Sequence, residues 1–222
     1  MIPLFITLDL GTGGCKCGII DLEGNLVASA SVSYSLYSPS PGLAEQDPNQ
    51  YWVAAITALE KCISKIKDPY AIKSITVCGQ DQTLVLIDKA GKPIRKAIIW
   101  MDSRAKKQTQ AIEQILNVFI PPSFNIPKLL WVKENEPEIF NRIYKALSCK
   151  GLIYFKLTGK LVVDFHYEDV LYNENARKWY LEKLNSLGIP IEIMPDLVKS
   201  GEVVGTICLL YTSDAADEGL GV

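Results

Sequence analysis

A glycine-rich turn between two apolar segments is the first part of the sequence with the residue types of a binding site. Apolar residues 4–8 end at Asp9, and the turn at 11–14 leads into a second apolar segment through Lys16. Glycines let backbone N–H groups converge on a phosphate, while a hydroxyl adds a hydrogen bond and a lysine adds a charge. A carboxylate at this position can hold Mg²⁺ through water. The pattern therefore predicts a phosphate and metal site made of Asp9, Thr12, Gly13, Gly14 and Lys16.

An ordinary β-hairpin explains the same turn, because glycines also serve tight turns that bind nothing. The spacing fits neither G-x-x-x-x-G-K-[ST] nor G-x-G-x-x-G, and the residues after Lys16 do not predict a long helix. Short glycine-rich patterns often match by accident. On these residues alone, the binding site and the plain hairpin stay equally open.

Two clusters of polar side chains follow predicted strands further along the chain. Residues 80–82 (Gln-Asp-Gln) come after the apolar segment 71–77, and residues 102–104 (Asp-Ser-Arg) come after the apolar segment 97–100. In α/β sheets, ligands bind beyond the carboxyl ends of the strands, so both clusters are candidates for a binding site. A pair of turns is the alternative, the second of them capping a helix that ends near Asn117.

The elements predicted to position these clusters alternate between strands and helices. Period-two alternation over residues 4–10, 15–20 and 27–37 predicts three successive antiparallel strands. Asp47 is placed to cap a helix that has Pro48 at its first position. Further strands are predicted at 71–77, 84–88, 97–100 and 161–164, and further helices at about 103–117, 128–132, 137–140, 149–157 and 175–187, the last with Trp179 inward. This order predicts an α/β domain.

Composition is that of an ordinary globular protein. Of the 222 residues, 48% are hydrophobic and 22% are charged, and the net charge is −2. Because there is no basic surplus, the chain is not predicted to bind nucleic acid. No apolar run reaches the roughly 18 residues of a membrane span, and the N-terminus lacks the basic region of a signal peptide. A cytoplasmic protein without a membrane partner is expected.

Six scattered cysteines and one histidine do not predict a zinc site, because no C-x-x-C pair occurs. Reduced and mostly buried thiols are expected instead. His166 has no second histidine or cysteine near it, so a structural or exposed role is expected for it.

Four separated patches, in this order, resemble the N-terminal half of the FGGY family of carbohydrate kinases, and within it the xylulokinases. The patches are Asp9 to Thr12; Ala44 to Pro48 with Trp52; Gly79-Gln80 through Trp100-Met101-Asp102-Ser103-Arg104-Ala105; and Pro127 to Trp131 followed by Glu136 to Phe140. Leu157-Thr158-Gly159 and Asp164 add a weaker fifth patch. Their ordered co-occurrence is far more specific than any single patch, and it weighs against the plain hairpin.

The resemblance implies a ribonuclease-H-like, actin-like fold, with a mixed five-stranded sheet flanked by helices. It also implies ATP-dependent phosphorylation of a sugar or polyol hydroxyl, with a pentulose such as xylulose favoured, ATP and Mg²⁺ as cofactors, and a homodimer as an allowed state of the full-length protein. The implied roles are ATP phosphate binding by Thr12, Gly13, Gly14 and Lys16, metal binding by Asp9, and sugar binding by Asp81, Gln82, Trp100, Asp102 and Arg104.

Several positions depart from the family pattern. The family's general-base aspartate is expected beyond the last residue of this chain, so no catalytic residue is assigned here. Asp81-Gln82 stands where xylulokinases usually carry Met-His, which leaves the identity of the sugar open. The segment 106–126 is shorter than usual and lacks Thr-Gly-Asn, and the turn after Asp164 reads His-Tyr-Glu-Asp.

The last residues form a separate unit by their sequence. Residues 208–222 lose the family pattern and resemble the translation of a transposon-based sequencing adapter. A kinase N-terminal domain is therefore expected at 1–207 and a non-native tail at 208–222. A lineage-specific tail is the alternative.

Two alternatives to a kinase are a non-enzymatic actin-like nucleotide-binding module and a decayed kinase. The patch 45–48 and the pattern Trp100-x-Asp102-x-Arg104 speak against the module.

Overall fold

A computed structural model describes residues 2–164, 171–173 and 175–207. The strands are β1 (Leu4–Gly11), β2 (Gly14–Ile20), β3 (Leu26–Ser33), β4 (Glu45–Gln46), β5 (Ile72–Gly79), β6 (Val85–Ile87), β7 (Ala97–Ile98), β8 (Lys145–Leu147), β9 (Val162–Asp164), β10 (Tyr172–Asn173), β11 (Lys178–Trp179) and β12 (Asp196–Val198). The helices are α1 (Pro48–Ile63), α2 (Lys106–Leu116), α3 (Asn125–Asn135), α4 (Pro137–Phe140), α5 (Cys149–Thr158) and α6 (Leu181–Ser186).

The main sheet contains four strands in the order β3-β2-β1-β5. The pairs β1–β2 and β2–β3 are antiparallel, and β1 pairs with β5 in parallel, so the sheet is mixed. The register sets Asp9 opposite Lys16 on β2 and opposite Cys78 on β5. The three predicted antiparallel strands are therefore confirmed.

Both α1 and α5 pack on one face of this sheet. Ile6, Leu8 and Leu10 alternate toward that face and are buried against both helices, as the two-residue period of a strand requires. Helix α1 begins as predicted, because the Asp47 side chain accepts a hydrogen bond from the Asn49 N–H and proline occupies its first turn. Asp9 and the other odd-numbered residues of β1 consequently lie on the opposite face of the sheet.

A second buried cluster joins α2, α3 and α6 to the short strands β6, β7 and β8. It includes Leu86, Ile98, Ile112, Leu129 and Leu184. The segment from Ile99 to Arg104 follows β7, and the N–H groups of Ile99 and Ser103 donate to the carbonyls of Ala44 and Gly42. The two clusters together hold the strand ends and loops that line the cleft described below.

Two expectations from the sequence, for the main sheet and for the start of helix α2, differ from the structure. The main sheet has four strands among the described residues rather than five, because the apolar segment Val85–Ile87 pairs with β8 in a separate two-stranded sheet. Helix α2 starts at Lys106 without a side-chain cap, because the Asp102 carboxylate is occupied by the N–H groups of Ala44 and Arg104. Its predicted end is confirmed by the left-handed conformation of Asn117.

The predicted helix at 175–187 is wrong in its first half. Tyr172 and Asn173 pair with β11 in a hairpin, and the Asn173 side chain accepts a hydrogen bond from the Ala176 N–H, which turns the chain. The helix starts only at Leu181. Trp179 is nevertheless partly buried and donates its indole N–H to the Pro195 carbonyl at 2.7 Å.

Within the described residues, Cys15, Cys17, Cys62 and Cys149 are free and buried, whereas Cys78 is free and exposed. The same residues contain no cluster of His, Cys, Asp and Glu side chains suited to a metal and no helix able to cross a membrane. The predictions for His166, for the turn after Asp164 and for the tail at 208–222 fall outside the described residues.

Candidate active site

One open cleft of about 560 Å³ lies at the edge of the main sheet. Strands β1 and β5 are parallel neighbours, with Leu10 opposite Gly79, so the turn after β1 and the residues after β5 meet at the same edge. The predicted site residues that line this cleft are Asp9, Thr12, Asp81, Gln82 and Trp100. The structure thus brings the glycine-rich turn and the first polar cluster together.

The glycine-rich turn is held by its carbonyl groups. The Tyr34 hydroxyl donates to the Gly11 carbonyl, and the Gln46 amide donates to the Thr12 carbonyl at 2.7 Å. The Gly13 carbonyl accepts from the Tyr34 N–H at 3.4 Å. All three acceptors are therefore directed at donors of the domain, which fixes the conformation of the turn and the direction of its peptide dipoles.

Gly14→Ala is expected to destabilise the chain by about 1–3 kcal/mol. A Cβ on Gly14 would stand 2.5 Å from the Val32 carbonyl oxygen and 2.9 Å from the Ser33 Cα, both backbone atoms of β3. Gly13→Ala is the matched control, because a Cβ there meets nothing within 4 Å, and the free energy of unfolding should change by less than about 0.5 kcal/mol. Urea denaturation compares the two variants. Equal losses would contradict the close packing of the turn on β3.

Asp9 presents a half-buried carboxylate to the cleft beside the turn. The Cys78 thiol lies 3.7 Å from its Oδ1 atom, and burial together with the Asp9 charge raises the pKa of that thiol. A carboxylate oxygen is the type of ligand that Mg²⁺ prefers, so Asp9 suits one position around a magnesium ion whose other ligands are water or phosphate. Gly13, Gly14 and the exposed Lys16 do not line the cleft itself, although the register keeps Lys16 across from Asp9.

The other end of the cleft is formed by the residues after β5. Asp81 is exposed, with 78% of its side chain accessible, and lies 3.7 Å from the ammonium of Lys150. Gln82 has a φ of 51°, a left-handed conformation that is uncommon outside glycine and often marks a functional site. A carboxylate and an amide at this position can bind the hydroxyl groups of a polyol.

Two buried side chains hold Gln82 in this conformation, and sequence reasoning assigned no role to either. The Lys128 ammonium donates to the Gln82 carbonyl at 2.5 Å, and the Asn125 amide donates to the Gln82 side-chain oxygen at 3.1 Å. Both belong to α3, within or next to the patch that carries the family resemblance. A lysine inside an otherwise apolar helix face was the signal that could have identified Lys128.

The structure does not bring Asp102 and Arg104 to the cleft lining. Asp102 is fully buried, accepts from the Ala44 N–H at 2.7 Å, and forms a two-oxygen contact with the Arg104 guanidinium. Glu45 bridges Arg104 at 2.8 Å and Arg95 at 2.6 Å. These ion pairs and hydrogen bonds connect the patch at residues 44–48 to the patch that ends at Ala105. The charged side chains of the two patches are therefore paired inside the domain.

Trp100 connects the two ends of the cleft. Its indole N–H donates to the Thr12 hydroxyl at 3.0 Å, so the side chain spans from β7 to the glycine-rich turn. The ring lines the cleft and is partly exposed. The cleft therefore combines a glycine-rich turn, an adjacent carboxylate, a tryptophan wall and a carboxylate–amide pair.

Comparisons with known proteins identify carbohydrate kinases as relatives of this chain. A family model described as the N-terminal domain of the FGGY family of carbohydrate kinases matches residues 4–220. A xylulose kinase of Staphylococcus epidermidis is 35% identical over 221 aligned residues, covering 95% of this chain and 43% of that protein. A glycerol kinase of Thermococcus onnurineus is 28% identical, covering 92% of this chain and 45% of that protein.

A crystal structure of ligand-bound xylulose kinase from Lactobacillus acidophilus has the same fold. Its TM-score is 0.85 at 28% identity, covering 97% of this chain and 46% of that one. The expected α/β, actin-like sugar-kinase fold is therefore confirmed. This chain spans less than half the length of each of these three relatives. With the family model matching nearly the whole sequence, the chain belongs to the FGGY family of carbohydrate kinases.

Proposed function

We propose that this chain is the N-terminal lobe of a kinase that transfers a phosphoryl group from ATP to a hydroxyl of a sugar or polyol, with xylulose favoured. The observation that carries the proposal is the cleft in which Thr12 of the glycine-rich turn and the pair Asp81 and Gln82 face the same space. Family membership supports the reaction. The names of the relatives include both xylulose and glycerol kinases, so the choice of sugar is the narrower part of the proposal.

Residues in the cleft and in the turn beside it have different roles in phosphoryl transfer, which depends mainly on positioning and charge stabilisation. In this proposal Thr12, Gly13, Gly14 and Lys16 bind the ATP phosphates, and Asp9 holds Mg²⁺. When bound, the metal neutralises charge on the phosphate oxygens. Asp81 and Gln82 bind sugar hydroxyls at the other end, and Trp100 walls the space between them.

Asp102 and Arg104 act indirectly in this proposal. Arg104 pairs with both Glu45 and Asp102, and Asp102 also accepts from the Ala44 N–H, so these two residues hold the segment that carries Trp100 rather than contact the sugar. The acceptor for the hydroxyl proton is proposed to come from outside residues 1–207, and residues 208–222 are proposed to be non-native. An enzyme of this type would act in the cytoplasm, where ATP is available.

Trp100→Phe is expected to weaken binding of Mg-ATP by about 3- to 10-fold, because it removes the hydrogen bond to Thr12 and keeps an aromatic wall. Sugar affinity should change less, since the ring face remains. Titrations followed by NMR measure both affinities. Met101→Leu is the control. Met101 follows Trp100 in the sequence and is exposed, so this substitution should leave both affinities unchanged. If Trp100→Phe bound Mg-ATP as tightly as the unchanged chain, the hydrogen bond from Trp100 to Thr12 would have no role in ATP binding.

The direct test is to recover the source gene beyond codon 207, express the continuous reading frame, and measure ADP release with a panel of ketoses and polyols. Sugar-dependent ADP release, highest with a pentulose, is expected. ADP release that does not depend on any added sugar would favour a nucleotide-binding module instead. A genomic stop after Val222, with no activity, would favour a decayed kinase.

A further inference from the structure

Gln46 is a buried amide between the glycine-rich turn and the residues after β5, and no proposed catalytic or binding role uses it. Only 1% of the residue is exposed. Its Nε2 atom donates to the Thr12 carbonyl at 2.7 Å. Its Oε1 atom accepts from the Gln80 amide at 2.7 Å and from the Tyr51 hydroxyl at 2.8 Å. The side chain is thus hydrogen-bonded at both ends.

The partners of Gln46 require an amide at this position. The Thr12 carbonyl can only accept, so a donor must face it, while the Gln80 Nε2 group can only donate, so an acceptor must face that side. A carboxylate would supply the acceptor and lose the donor, and an apolar side chain would leave the Thr12 carbonyl unpaired and the Gln80 amide with only its 3.5 Å contact to the Tyr51 hydroxyl. Unpaired polar groups in a buried network are costly, which makes the arrangement rigid.

The same network reaches the residues at the sugar end of the cleft. Gln80 immediately precedes Asp81, and its backbone N–H donates to the Leu10 carbonyl at 2.8 Å. The Gln80 carbonyl accepts from the buried Cys149 thiol at 3.2 Å. Gln46 therefore contacts the glycine-rich turn on one side and the anchored end of β5 on the other.

We propose that Gln46 is a positioning residue for the phosphate-binding turn. By holding the Thr12 carbonyl on the inner side of the turn, it keeps the following peptide units oriented with their N–H groups available to a phosphate. Through Gln80 it also fixes the distance between the turn and Asp81. The inference rests on the proposed phosphate-binding role of the turn.

Gln46→Glu in the 222-residue chain tests this inference through pH. The introduced carboxyl keeps its acceptor oxygen toward Gln80, but when ionised it faces the Thr12 carbonyl with negative charge; burial and that repulsion raise its pKa. When protonated, it donates to Thr12 as the amide does. Relative to the unchanged chain at the same pH, Mg-ATP binding should weaken by about 10- to 100-fold at pH 8. It should recover to within about 3-fold at pH 5.5.

Mg-ATP binding is followed by NMR on the amide resonances of Gly13 and Gly14, which detects millimolar affinities. Gln50→Glu is the matched control: it makes the same chemical change on α1, and its oxygen still accepts from the Ser35 N–H, so binding should be unchanged. If Gln46→Glu does not fold, Gln46→Asn replaces it, because that neutral side chain is too short to bridge Thr12 and Gln80. It should weaken binding at both pH values.

The outcomes separate this inference from the proposed function. A pH-dependent loss confined to Gln46→Glu supports the positioning role. Equal affinities for the unchanged chain and both Gln46 variants overturn that role and leave the phosphate-binding turn intact. If the unchanged chain itself shows no shift of Gly13 and Gly14 with Mg-ATP, the phosphate assignment fails, and the inference fails with it.

Discussion

Asp9→Asn in the complete kinase is expected to lower kcat by about 10²- to 10³-fold, the usual effect of removing one group that stabilises developing charge. The substitution keeps the shape of the side chain, and its remaining oxygen can still accept from the Cys78 thiol, which lies 3.7 Å away. The loss should therefore be electrostatic rather than structural. Sugar-dependent ADP release at saturating Mg-ATP and sugar measures it.

Cys78→Ser is the control for Asp9→Asn. Cys78 lies opposite Asp9 on β5, and a serine hydroxyl can replace the thiol as a donor to the carboxylate. Its kcat should stay within about 3-fold of the unchanged enzyme. If Asp9→Asn were as active as this control across a range of Mg²⁺ concentrations, Asp9 would not be the metal ligand.

Asp102→Ala is expected to lower the free energy of unfolding by about 3–5 kcal/mol, the usual cost of removing one partner of a buried ion pair. The change leaves the Arg104 guanidinium with Glu45 as its remaining carboxylate and leaves the Ala44 N–H without its acceptor. Arg104 also stacks 4.8 Å above the Trp131 ring, so it is not free to move into solvent. Urea denaturation followed by tryptophan fluorescence measures the loss.

Arg177→Ala is the matched control for Asp102→Ala. Arg177 pairs with Glu202 at 3.0 Å, but both side chains are more than a third exposed, so the pair should contribute less than about 1 kcal/mol. The contrast tests the assignment of Asp102 as a structural residue. A loss below about 1 kcal/mol for Asp102→Ala would show that the buried network does not support the domain.

The hairpin and the first helix were predictable because local patterns determine them. Alternation of apolar residues along β1 and β2, and the Asp47-Pro48 start of α1, each depend on residues close together in the chain. The meeting of the turn with Asp81 was also predictable, because the carboxyl ends of neighbouring parallel strands share an edge.

The roles of Asp102 and Gln46 could not be predicted, because they depend on contacts between distant parts of the chain. A carboxylate after a strand can bind a ligand or an internal arginine, and only the approach of Ala44, 58 positions away, decides that Asp102 is structural. Gln46 reaches Thr12 and Gln80, which lie 34 residues away on either side. No local spacing encodes such contacts.

In the proposed function, one cleft binds ATP phosphates at the glycine-rich turn and a sugar at the end of β5. Separate NMR titrations of the 222-residue chain with Mg-ATP and with xylulose test this arrangement. Mg-ATP is expected to shift the resonances of Thr12, Gly13 and Gly14, xylulose those of Asp81 and Gln82, and both ligands the Trp100 indole. If saturating ligands shift none of these, or if both shift only residues outside the cleft, this arrangement is contradicted.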